Sequence, residues 1–246
     1  MAEFDLMHKD VVCGRLTIDM ETGCVTGYRD NGTGRSPYMG HADKGKVGFW
    51  WKMRAAPASR LGAQEAIKKS GCATGGLYLA KNLGLSMTDA YWIRPEGSGL
   101  RYDDVRFKPF AETPYDPNAS LGGQMEKHWD LGHHVPLLVK EAYGYDGQQA
   151  VNEAFATWVH GLQDAGIPSV RYAGTAVEGH GAVCACEAFT TGDIEFIPAY
   201  EVLESHKGAN DRSAYENYIE ACVKCGIGRD EIQSFMDYQT MTDFII

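Results

Sequence analysis

The chain has 246 residues, of which 44% are hydrophobic and 23% are charged, and its formal net charge is -10. This composition is typical of a folded globular protein, and the acidic balance argues against direct nucleic-acid binding, which needs a basic surface. No apolar run approaches the ~18 residues of a membrane-spanning helix and no secretory leader opens the chain, so we expect a soluble, cytoplasmic protein without a membrane partner.

The first part of the chain contains one hairpin signal and two helix signals. Loose alternation over Val11–Asp19 breaks at a Glu-Thr-Gly turn and resumes at Cys24, which predicts a β-hairpin. Helices are predicted over Arg60–Lys69 and Leu77–Asn82, because each stretch is followed within two residues by a glycine that can end it. The seven cysteines are scattered and odd in number, which favours reduced thiols over a disulfide framework.

A domain boundary is predicted over 112–118, where two prolines with aspartate and asparagine disfavour both helix and inner strand. The elements predicted after it alternate between strands and helices and then become helical. They are short strands around Gly122-Gly123 and over Val135–Lys140, a helix over Gln148–Ala165, a hairpin of Arg171–Val177 with Ala182–Phe189, and helices over Ala199–His206, Arg212–Cys225 and Arg229–Ile246. The predicted fold class is therefore α+β.

Two features directly after this boundary are typical of phosphate binding. The segment Ser120–Lys127 contains adjacent glycines, which let a backbone approach an anion closely and present N–H groups to it. Taken alone, a hairpin turn explains those glycines equally well. Lys140 ends an apolar run and could reach nucleotide phosphates from a strand, or it could simply extend its ammonium group into water.

Two further features follow in the chain. Glu153 lies on the helix predicted over 148–165, nearly opposite an apolar stripe formed by Val151, Phe155, Trp158, Val159 and Leu162. This position is typical of a solvated helix face, and a role beside Lys140 requires that the polar face turns toward a cleft. The apolar strand over 183–189 is either a hinge that contacts an adenine base or an ordinary core strand.

The order of these parts is that of a protein kinase: glycine-rich loop, strand lysine, helix glutamate, hairpin, hinge and helical lobe. The chain resembles the HipA-like serine/threonine kinases, which are known from bacterial toxin–antitoxin modules. The resemblance covers most of the chain and is carried by short segments. They are Trp50–Arg54 with Pro57–Arg60, Gly84–Asp89 with Tyr91–Ile93, Ser120–Lys127, Leu138–Lys140, Asn152-Glu153 and Cys186–Phe189.

The resemblance implies an N-terminal α/β subdomain over 1–112, a kinase-like nucleotide-binding N-lobe over 113–190 and the first helices of a C-lobe over 191–246. It implies ATP with Mg²⁺ as ligands and a protein substrate or an antitoxin-like partner. Ser120 matches the autophosphorylation serine of the family. The residues it assigns to the nucleotide are Ser120, Leu121, Gly122, Gly123 and Gln124 in the phosphate loop, Lys140, Glu153, and Glu187 and Phe189 at the hinge.

No catalytic residue or magnesium ligand is assigned, because the family's Asp-Arg-His-x-x-Asn loop has no match in the sequence. The segment with Asp211 is only superficially similar to that loop, and Asp211 is better explained as a helix cap. Asp243 is followed by phenylalanine, as in the kinase Asp-Phe-Gly motif, but it lies inside a helix pattern and no glycine follows. The last predicted helix is apolar on nearly every side, so we expect the chain to stop before the rest of a C-lobe. The alternative function is a non-catalytic interaction module that binds a partner protein through Phe235–Ile246.

Overall fold

The computed structural model describes residues 1–142, 147–163, 166–177, 181–208 and 211–243. Within these ranges the chain forms two four-stranded antiparallel sheets and eight α-helices, which confirms the predicted α+β class. Across the same ranges, no helix is long and apolar enough to cross a membrane.

The first sheet has the strand order β3-β2-β1-β4. Its strands are β1 (Ala2–His8), β2 (Val11–Ile18), β3 (Val25–Asp30) and β4 (Tyr91–Pro95). The pairing of β2 with β3 confirms the predicted hairpin. The sheet is antiparallel throughout, so the N-terminal subdomain is not built from alternating parallel β-α units.

Helices cover this sheet on its apolar side. They are α1 (Lys44–Arg54), α3 (Gly75–Lys81) and the single turn α4 (Tyr102–Val105). Helix α2 (Leu61–Lys69) packs elsewhere, with its Ile67 beside Tyr78 of α3 and Ala119. The predicted helices α2 and α3 are confirmed, whereas α1 was not predicted in its glycine-rich, basic stretch. Asp43 caps α1 by accepting the N–H of Lys46, and Trp50 and Trp51 then bury its apolar face.

One buried arginine ties these elements together. The Arg54 guanidinium forms two hydrogen bonds to the Asp89 carboxylate, at 2.6 and 2.8 Å, and a third of 2.7 Å to the Gly84 carbonyl. It also donates to the carbonyl of Tyr91 and lies 4.8 Å from the centre of a Trp50 ring. Because each of its three nitrogens donates to a fixed acceptor, this network holds α1 against the segment that leads into β4.

The second sheet has the strand order β5-β6-β8-β7 and is preceded by a 3-10 turn over Pro117–Ser120. Its strands are β5 (Glu126–Asp130), β6 (Leu137–Ala142), β7 (Ala173–Val177) and β8 (Gly181–Glu187). Helix α5 (Gln148–Gln163) connects β6 to β7 and packs on one face of the sheet. The predicted strand over Val135–Lys140, the helix and the hairpin are therefore confirmed in this order, while residues 164–165 and 178–180 lie outside the described ranges. The strand predicted around Gly122-Gly123 is wrong, because these glycines lie in the loop before β5.

Three helices follow the second sheet: α6 (Ala199–Ser205), α7 (Ala214–Lys224) and α8 (Arg229–Asp243). They share a small core that includes Ile219, Cys222 and Ile232. All three were predicted, although residues 244–246 of the last one lie outside the described part of the chain. The assignment of Asp211 as a cap is wrong, because Ser213 caps α7 in a capping box with Glu216.

Glu201 on α6 carries a pH-dependent contribution to stability. Burial and the charge of Asp89 raise the pKa of this carboxyl, which is only 6% exposed. The folded state therefore binds the proton more tightly, so ionised Glu201 costs stability as the pH rises above the unfolded-state pKa. We expect Glu201→Gln to raise Tm at pH 8 and to lose this advantage toward pH 4, measured by thermal denaturation. Glu204→Gln, at the surface of the same helix, is the matched control and should show no such trend.

Candidate functional site

The centre of the candidate site is an ion pair between Lys140 on β6 and Glu153 on α5. The Lys140 side chain is 14% exposed, and its Nζ lies 4.1 Å from the centre of the Tyr172 ring. Helix α5 is held against the sheet by Ala150, which packs on Cys184 of β8. The structure thus brings together the strand lysine and the helix glutamate that the sequence had placed on separate elements.

The orientation of α5 explains this pairing and corrects an expectation. Its apolar stripe does not face the core: Val151, Phe155, Trp158 and Leu162 are all exposed, and only Val159 of the five is buried.

Small residues lie in the contact instead. A Cβ on Gly174 of β7 would lie 3.2 Å from the Cβ of Ala154, so the helix and the sheet approach closely. Because bulky side chains cannot enter such a contact, Glu153 turns inward and the stripe turns outward.

The predicted phosphate loop begins at the end of the 3-10 turn and leads into β5. Ser120 is the last residue of the turn and is half-buried, Leu121 is buried, and the loop then runs through Gly122 and Gly123 to Gln124.

Side chains from the segment before α2 hold this loop. Arg60 Nη1 donates to the carbonyl of Leu121 at 3.0 Å and to that of Gly123 at 3.4 Å. Ser59 Oγ donates to Oε1 of Gln124 at 2.9 Å. The loop is therefore fixed by residues that precede the predicted boundary at 112.

Lys127 adds a second ammonium group next to Lys140. The two residues are cross-strand partners in β5 and β6, and their side chains lie on the same face of the sheet. A Cβ on Gly123 would lie 2.6 Å from Lys127 Nζ, and Gly123 has φ of +83°, so only glycine suits this position.

The charge around Lys127 is unbalanced. Among the described residues, Lys127 forms no salt bridge with a carboxylate. Burial lowers the pKa of its ammonium group, and the like charges of Arg60 and Lys140 lower it further, against the opposing effect of Glu153. Arg60, Lys127 and Lys140 therefore lie close to one another, with the carboxylates of Glu153 and Glu126 beside them. Three cations beside two carboxylates leave a local positive charge, which favours binding of an anion.

The predicted hinge, Cys186–Phe189, begins in the last two residues of β8, the strand that pairs with β6 beside Lys140. Cys186 pairs with Leu138 and is buried, whereas Glu187 and Phe189 are exposed. Phe189 packs edge-on against Phe196, with ring centres 5.8 Å apart. Its backbone N–H has no hydrogen-bond acceptor in the described part of the chain, so it is available to a ligand.

The segment after the hinge is anchored to the first sheet. Thr190 Oγ1 donates to the carbonyl of Met87 at 2.7 Å, and Glu195 accepts a hydrogen bond of 2.8 Å from the His8 ring. The burial of Glu195 raises the pKa of its carboxyl, but the hydrogen bond and charge of His8 outweigh this and lower it. The segment after the predicted hinge is therefore held by residues of the first part of the chain.

The roles of Arg60 and Tyr172 in this site were not predicted from the sequence. Arg60 contacts the loop across more than sixty positions, as Arg60 and Leu121 are 61 residues apart, and no periodicity predicts such a contact. For metal binding, the described ranges contain no group of three or more His, Cys, Asp or Glu side chains that could hold an ion. No protein-family model, curated protein or solved structure matches the chain.

Proposed function

We propose that this chain binds ATP as the nucleotide-binding part of a HipA-like serine/threonine protein kinase. Lys140 contacts the nucleotide phosphates, and Glu153 holds the lysine in position. The observation that carries the proposal is the Lys140–Glu153 ion pair, formed between a sheet strand and the helix that follows it. The same strand-lysine and helix-glutamate pair positions the phosphates in protein kinases.

The order of elements supports this proposal. The loop with its two glycines precedes β5, and the lysine strand β6, the glutamate helix α5 and the hairpin of β7 and β8 then follow in turn. The strand β8 leads into the exposed residues Glu187 and Phe189, and then into helices. This succession is the one that distinguishes the N-lobe of a kinase from an unrelated α+β domain.

Electrostatics supports a phosphate ligand in particular. The chain as a whole is acidic, yet Arg60, Lys127 and Lys140 lie together near the loop and outnumber the carboxylates of Glu126 and Glu153 that act on them. A local positive site within an acidic protein concentrates anions at that point. Mg²⁺ would accompany the nucleotide and offset the charge of its phosphates, while the chain's own residues bind and orient them. The assigned residues hold the nucleotide, and none is assigned as a catalytic base.

Calorimetric titration with ATP tests the proposal. We expect saturable binding with one site per chain, in the presence and absence of Mg²⁺, and weaker binding of adenosine because it lacks the phosphates that meet the three cations. The alternative function, a non-catalytic interaction module, predicts no heat of binding for either ligand. Absence of saturable ATP binding by the folded chain would therefore exclude the proposed function.

A further inference from the structure

Arg60 is a buried cation that a nearby carboxylate, that of Glu126, influences only by its charge. It is 3% exposed, and within the described ranges it forms no salt bridge. In the part of the chain that the structure describes, its Nε has no hydrogen-bond partner, while Nη1 donates to two carbonyls of the loop. A buried guanidinium is costly unless it is paired or hydrogen-bonded. Among the described residues, the acceptors of its side chain are the carbonyls of Leu121 and Gly123.

These two contacts determine where the amide groups of the loop point. In a trans peptide, the carbonyl of one residue and the N–H of the next lie on opposite sides of the bond. Because Arg60 donates hydrogen bonds to the carbonyls of Leu121 and Gly123, the N–H groups of the next residues, Gly122 and Gln124, point away from Arg60. Neither N–H has an acceptor among the described residues. Two free donors therefore lie on the side of the loop that Arg60 does not occupy.

We propose that Arg60 is a positioning residue for the nucleotide, which holds the loop so that the N–H groups of Gly122 and Gln124 meet its phosphates. This inference rests on the proposed function and extends it, because it makes phosphate binding depend on a side chain from the N-terminal subdomain. Arg60 does not touch the nucleotide. It acts through the backbone, in the way that preorganised amide groups stabilise an anion at little cost.

The surrounding contacts agree with this role. The N–H of Ala56 donates to the carbonyl of Ala119 at 3.0 Å, and the N–H of Gly62 lies 3.2 Å from both carboxylate oxygens of Glu126. Together with Ser59 and Arg60, these groups contact the turn, the loop and the first residue of β5. The segment 56–62 is thus a continuous support, and Arg60 is its one charged side chain directed at the loop.

Affinities for ATP, ADP and adenosine in variants of Arg60 test this inference. We expect Arg60→Met to weaken ATP binding by ~10-fold or more, because two amide hydrogen bonds to a charged ligand lose their alignment. Adenosine binding should be unchanged, and ADP should show an intermediate loss. Arg60→Lys keeps the positive charge but loses the planar guanidinium group, so its ATP affinity should lie between those of the wild type and Arg60→Met. Arg29→Met, at an exposed arginine of β3, is the matched control.

A general structural role of Arg60 predicts a different result: losses of equal size for ATP and adenosine, which would overturn the inference. Unchanged ATP affinity in a folded Arg60→Met variant would overturn it as well, while leaving the proposed function intact. If the wild-type chain binds no ATP, both fail together.

A measurement on the unmodified protein removes any dependence on the folding of the variants. In ¹⁵N-labelled wild-type chain, the amide resonances of Gly122 and Gln124 should shift on addition of ATP and stay in place on addition of adenosine. Shifts of equal size with both ligands, or none with ATP in a chain that binds it, would show that these N–H groups do not meet the phosphates.

Discussion

Lys140→Met should weaken ATP binding by ~10–100-fold, since a hydrogen bond to a charged group contributes about 1.5–3 kcal/mol. The loss has two sources in the structure. The substitution removes the ammonium group that faces the phosphates, and it leaves the Glu153 carboxylate without the partner that now offsets its charge. An unpaired carboxylate at this point repels a nucleotide directly. The measurement is the ATP affinity by calorimetry, with the fold of the variant checked by circular dichroism.

Two further variants make this result specific. Lys44→Met removes an exposed lysine from the first residue of α1, at the end of that helix opposite to Met53, which lies beside Gly122, and should leave ATP affinity unchanged. Glu153→Gln keeps the lysine but releases it from its position, so its effect should be smaller than that of Lys140→Met. Equal ATP affinities in the wild type and in a folded Lys140→Met variant would contradict the role assigned to this lysine.

The largest effect on stability is expected at Arg54. Arg54→Leu should lower the free energy of unfolding by ~3–5 kcal/mol, because removing one partner of a buried pair leaves the other charge uncompensated. Asp89, whose side chain is 12% exposed, would lose both of its guanidinium hydrogen bonds, and the carbonyls of Gly84 and Tyr91 would lose their donor. Such a loss is a large fraction of the ~5–15 kcal/mol that stabilises a typical domain. Urea denaturation followed by tryptophan fluorescence measures it.

A double variant separates the charge effect from loss of packing. Arg54→Leu combined with Asp89→Leu removes the unpaired carboxylate, so it should be less destabilising than the sum of the two single variants. Arg29→Leu, which removes an exposed arginine from β3 of the first sheet, should change the free energy of unfolding very little. If Arg54→Leu lowers the free energy of unfolding by less than about 1 kcal/mol, the effect is that of a surface salt bridge. Such a result would show that this network does not hold α1 in place.

The second half of the fold was predictable because its signals are local. Glycines and periodic apolar residues marked the helix over 148–163, the hairpin of β7 with β8, and the three final helices. Helix α1 escaped prediction because its stretch contains glycine and lysine, and its burial comes from tertiary contacts of Trp50 and Trp51. Tertiary packing overrode local propensity there.

The candidate site was predictable in its parts but not in its assembly. The sequence supplied Lys140 and Glu153, but the apolar stripe on α5 argued that Glu153 faces solvent. That argument failed because Ala150, Ala154 and Gly174 make a close contact in which only small residues fit. The support of the loop by Arg60 was not predictable for another reason: it depends on a contact between segments 61 residues apart, which no local pattern encodes.

The most direct test of nucleotide binding at Lys140 uses an ATP analogue with an acyl group on its terminal phosphate. A lysine beside the phosphates attacks the acyl carbon, forms an amide bond and releases ATP, so mass spectrometry identifies the lysine that lies at the site. We expect the label on Lys140 or Lys127, and we expect excess ATP to suppress it. Labelling that ATP does not suppress, or that falls only on lysines outside the second sheet, would contradict the proposed site.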